Sequence, residues 1–63
     1  MTTRDQIIEA MARAIMDAML VKGAGKSDLA AAALDAALPM LADEAGKIDV
    51  VAAEAIRALG KQP

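Results

Sequence analysis

The sequence predicts an all-α domain of three helices, and three observations carry that prediction. Apolar residues recur at three- and four-residue spacing from Arg4 to about Val21. Ala-rich stretches of strong helix formers make up most of the remainder. Two short breaks, at Lys22-Gly23-Ala24-Gly25-Lys26 and at Gly46-Lys47-Ile48, carry the residues that stop one helix and start the next.

In the first segment Ile7, Ile8, Met11, Ile15 and Met19, with Ala12, Ala14 and Ala18 beside them, form the apolar face. Glu9, Arg13 and Asp17 follow one another at four-residue intervals on the opposite face, with Glu ahead of Arg in the favourable order for a surface ion pair. Thr2 or Thr3 suits the N-cap, and Asp5 suits the first turn. Met11 and Met19 read as core. Met16 and Leu20 fall off the stripe, toward the polar side, where they either widen the buried face or form a contact patch.

Lys22, Gly23 and Gly25 then close that helix, since glycine adopts the left-handed conformation that ends one. Ser27 is the expected N-cap of the second, with Asp28 in its first turn. Along Leu29 to Leu38 the leucines Leu34, Leu38 and, further on, Leu41 are placed on one side and Asp28 and Asp35 on another. Pro39 lacks an amide donor and its ring clashes with the preceding turn. A stop or sharp kink is expected there, followed by a short helical turn through Glu44. Asp49 caps a last helix from Val50 to Leu59, closed by Gly60, with Val51, Ala55, Ala58 and Leu59 as its apolar side and Ile56 on the flank. The whole of residues 1–63 reads as a single domain.

Composition narrows the function classes. A chain of 63 residues buries only about 60% of the surface its unfolded form exposes, so its stability is thin. The usual remedies are disulfides, a structural metal or a second subunit, and the chain has no Cys and no His. Self-association or a partner is what remains, the former most simply as a homodimer whose interface involves the first helix. There is no aromatic residue, and Ala is the commonest apolar type, so the core is shallow. No charge-free run approaches the roughly 20 apolar residues of a membrane span. The charged first helix is unlike a signal peptide, and a cytoplasmic location is expected.

Catalytic equipment is sparse: no His, Cys or Tyr, and Ser27 as the one serine. Asp43-Glu44 is the densest acidic spot, but neighbours on a helix diverge by about 100° and do not converge on one substrate. Gly23-Ala24-Gly25-Lys26-Ser27 matches the end of a phosphate-binding G-x-x-x-x-G-K-S loop. The first glycine of that pattern falls on Leu20, however, and the loop follows a helix instead of a strand. No enzyme, cofactor or metal site is read from the sequence.

Charge is unevenly spread over a net −2. Residues 27–57 carry Asp28, Asp35, Asp43, Glu44, Asp49 and Glu54 against Lys47 and Arg57 alone. Such a balance disfavours direct binding to nucleic-acid phosphates and suits basic protein surfaces. Read blandly, these carboxylates keep an Ala-rich chain soluble; read sharply, several on one side imitate a row of phosphates. Asp35, Asp43, Glu44 and Glu54, together with Met16 and Leu20, are the candidate partner-binding residues.

The layout of Gln6-Ile7-Ile8-Glu9-Ala10-Met11-Ala12-Arg13-Ala14-Ile15, a glycine-rich break, Ala31 to Pro39 and a closing Ala53 to Leu59 resembles short Ala-rich helical proteins encoded by phages and prophages. That resemblance implies a non-catalytic protein–protein interaction role, of which anti-CRISPR-type inhibitors of host nucleoprotein complexes are one form. The alternatives are a self-associating structural or regulatory helical module and a small nucleic-acid-binding regulator.

Overall fold

The computed structural model describes residues 2–62, and among them three helices and no strand. Helix α1 spans Thr3–Met19, α2 spans Lys26–Gly46 and α3 spans Val50–Leu59. The fold is all-α, as the periodicity predicts.

Each helix start is fixed by a short polar contact. Thr2 Oγ1 accepts from the Asp5 amide at 3.1 Å and the Thr2 amide donates back to Asp5 Oδ2 at 3.4 Å, a reciprocal capping box. The α3 start is held by Asp49, whose Oδ1 accepts from the Val51 amide at 2.9 Å. At α2 the sequence reading needs correcting: the N-cap is Gly25, not Ser27. Asp28 sits three residues beyond it, and its Oδ2 takes the Gly25 amide at 2.9 Å. A carboxylate can satisfy that amide with charge assistance, and the helix therefore begins at Lys26, one residue before the serine.

Two further expectations are corrected by packing. Pro39 neither stops α2 nor detaches a separate turn, for the helix continues through it to Gly46. Leu38 and Ala42, on either side of the proline, are both buried, so packing on both sides of it holds the helix together. On α3 the residue that packs inward is Ala53, with Ile56 half-buried, while Val51, Ala55 and Ala58 face solvent and Val51 is 72% exposed. Of the closing glycines, Gly23 alone is left-handed (φ +85°); Gly60 caps α3 in the right-handed region.

Helix α2 lies in the middle, with α1 packed on one flank and α3 on the other, and α1 and α3 do not meet. The α2–α3 pair is antiparallel: Gly46 lies beside Ala53, Asp43 beside Arg57 and Leu38 beside Gly60. The six-residue link 20–25 turns the chain back in the same way between α1 and α2. The backbone measures 40 × 31 × 11 Å. Two stacked helix layers, with axes about 8–10 Å apart and backbone radii of about 2.3 Å on each side, need roughly 13–15 Å. The molecule is thus one layer of helices. Its buried residues are Ala33, Ala37, Leu38, Ala42 and Ala53, four of them no larger than a methyl side chain.

Candidate interaction surface

A single layer has two broad sides, and helical phase assigns side chains to each. Successive residues advance by about 100° around a helix. On α2 the buried and half-buried residues fall into two arcs that mark its flanks, Leu29, Ala33, Ala36, Ala37 and Met40 on the left toward α1 and Leu38, Ala42 and Ala45 on the right toward α3, and one broad side between them receives Asp28, Asp35, Pro39 and Asp43. The other receives Ala30, Leu34 and Leu41.

Because α1 and α3 run opposite to α2, their residues advance in the opposite sense seen from the same end. This places Glu54, Arg57 and Lys61 of α3 on the Asp side, and Ala52, Ile56 and Leu59 on the Leu side. The geometry bears this out independently: Arg57 Nη2 donates to Asp43 Oδ1 at 3.2 Å, and a shallow groove is lined jointly by Asp35, Pro39, Arg57 and Lys61. On α1 the same reasoning puts Gln6, Ala10, Arg13 and Asp17, which line a second groove, on the polar side and Ile8, Ile15 and Met19 on the apolar one.

One side of the layer is therefore polar with mixed charge, and the other is apolar across all three helices. Ile8, Met19, Leu34, Leu41 and Leu59 on the apolar side are all exposed, Leu34 and Leu59 to 49% each. Toward its ends stand the charges of Arg4, of Lys26 and of Glu44 with its partner Lys47.

The residues singled out from the sequence separate into three places. Asp35, Asp43 and Glu54 do share the polar side, but Arg57 and Lys61 are interleaved with them and Asp43 is paired. Glu44 points about 100° away from Asp43 and is bound to Lys47 Nζ at 2.9 Å. Met16 and Leu20 lie on the outer edge of α1, away from α2, at 67% and 85% exposure.

No family model, curated protein or solved structure matches the chain. Its chemistry is therefore read from its own surface.

The glycine-rich string at 23–27 offers no cradle for a phosphate, since Asp28 already occupies the amide of Gly25 at the α2 N-terminus and would repel an anion. Among the described residues no three His, Cys, Asp or Glu side chains gather as metal ligands, and no helix is long and apolar enough to cross a membrane. The apolar side, in contrast, gathers Ile8 and Met19, which the sequence assigns to a buried face and the structure leaves exposed, with Leu34 and Leu41 of α2. Its signal is a seven-residue spacing found on each helix, as between Ile8 and Ile15, Leu34 and Leu41, and Ala52 and Leu59.

Proposed function

We propose that this chain is a non-catalytic protein–protein interaction module whose working surface is the apolar side of its helix layer. The observation that carries the proposal is an apolar side spanning three helices on a chain in which, among the described residues, no large side chain is fully buried. A helix layer hydrophobic on one side is completed by packing against another layer.

Two methionines supply a matched test. Met19 lies on the apolar side and Met16 on the outer edge of α1, and they are exposed to nearly the same degree, 65% and 67%. If exposure in the single chain were the whole story, Met19→Gln and Met16→Gln would behave alike. The proposal expects Met19→Gln to weaken the assembly that the chain forms in the cells that make it, seen as a loss of native mass, and Met16→Gln to leave it intact. Equal behaviour of the two variants contradicts it.

A second reading, a phage-encoded inhibitor that meets a basic nucleic-acid site on a host complex such as a CRISPR effector, has one observation in its favour. Asp28, Asp35 and Asp43 lie along one side of α2 with Glu54 beside them on α3. The interleaved Arg57 and Lys61 dilute that row, and the Arg57 pair engages Asp43. On this reading Asp35→Lys and Glu54→Lys slow association with the host complex and make it more salt-sensitive, without loss of helicity. Unchanged association rates for both variants remove it.

A further inference from the structure

We infer that the layer covering the apolar side is a second copy of this chain, stacked face to face to give a two-layer, six-helix dimer. The inference rests on the interaction reading above and names its partner.

Surface area is the first argument. The chain exposes 4802 Å². A folded monomer of 6.5 kDa exposes about 3,800 Å². The excess, about 1,000 Å², is close to the roughly 800 Å² that each partner buries in an interface of standard size. The radius of gyration agrees: it is 12.7 Å, against about 11 Å for a compact domain of this length. The chain is thus extended by the amount that one interface would cover.

The second argument is where the missing core lies. Among the described residues the buried ones are four alanines and Leu38, whereas Ile8, Met19, Leu34, Leu41 and Leu59, five of the eleven large apolar residues left exposed, stand together on the open side. A layer that lacks its core until it is covered needs its cover whenever it folds. A second copy is the one partner present wherever the chain itself is made, and the usual supplements of small folds are missing, since the chain has no cysteine or histidine.

Charge supports the same occupant over a lipid surface. Helices that lie on membranes carry Lys and Arg on their polar side. Here the polar side mixes Arg13, Arg57 and Lys61 with Asp17, Asp28 and Asp35. Across a face-to-face stack the centre brings together no charged groups, and Arg4, Lys26 and Glu44 fall at the rim, the usual division of an interface into apolar centre and polar edge.

Sedimentation equilibrium of the purified chain tests this, with helicity followed by far-UV circular dichroism. The expected result is twice the 6.5 kDa chain mass at micromolar concentration. Leu34→Glu and the milder Leu41→Gln should shift dissociation to at least tenfold higher concentration, while Asp35→Lys on the polar side leaves it unchanged. Should Leu34→Glu fail to fold, Leu41→Gln and the wild-type mass still decide. A wild-type chain that is helical and monomeric at high concentration overturns the second copy. The interaction reading would survive that result if Met19→Gln still disrupted a cellular assembly. A dimer weakened by Asp35→Lys and indifferent to both leucine variants overturns the face assigned here, as does a monomer that sediments only with anionic vesicles.

Discussion

At the scale of single residues, helix starts were legible to within a few positions, and the miss at α2 has a specific cause. Ser27 has the side chain of a cap, and Asp28 reads equally well as a first-turn acid. Nothing in the residue types says that the carboxylate reaches back to the Gly25 amide and moves the boundary to Lys26. The consequence is measurable. Asp28→Ala should lower stability by about 0.5–2 kcal/mol in thermal unfolding, because it frees a helix-terminal amide. Ser27→Ala should stay within about 0.5 kcal/mol of the parent, since its hydroxyl caps nothing and alanine is the better helix former. The reverse order would restore Ser27 as the cap. Pro39 teaches a related lesson. Its intrinsic preference against a helix interior is real, about 3 kcal/mol, but burial of Leu38 and Ala42 against α3 is a tertiary effect that no local reading contains. The ring itself is exposed on the polar side.

At the scale of helices, the existence and type of each element followed from periodicity, whereas the inward direction did not. For α3 the pattern of bulkier residues points to Val51 and Leu59 as the inward side, and the structure turns Ala53 inward instead. Close approach explains the choice: a Cβ placed on Gly46 would lie 3.5 Å from Ala53 Cβ, and one on Gly60 would lie 3.3 Å from Leu38 Cδ1. Where α2 and α3 come closest the contact is built from small residues, Ala42 at 0% exposure and Ala53 at 1%, leaving room there for nothing larger. Ala42→Leu should therefore destabilise by about 1–3 kcal/mol through overpacking, although it adds apolar surface. A chemical denaturation curve showing Ala42→Leu as stable as the parent would mean that the two helices are not held this closely. The ion pair of Arg57 with Asp43 spans the same contact but is open to water on both sides, and contributes at most about 1 kcal/mol.

At the scale of the whole molecule, the candidate site could not be read from charge or from unusual residues, because it is a property of three helices lying side by side. The acidic residues form a series along the chain, yet folding divides them: Asp35, Asp43 and Glu54 go to one side, and Glu44 turns away to Lys47. Met16 and Leu20, conspicuous on one helix wheel, lie at an outer edge. The apolar side needed the third dimension. Ile8 and Met19 belong with Leu34, Leu41 and Leu59 only once the layer is known to be a single one and its helices antiparallel. The central claim is that this layer is half of a core, completed by a second copy. Linkage makes that claim directly measurable, since a fold completed by association gains stability with protein concentration. Thermal unfolding of the wild-type chain over a hundredfold range of concentration is the decisive measurement. The account predicts a midpoint that climbs steadily across the range, and a cooperative midpoint independent of concentration, in a chain that sediments as a monomer, would contradict it.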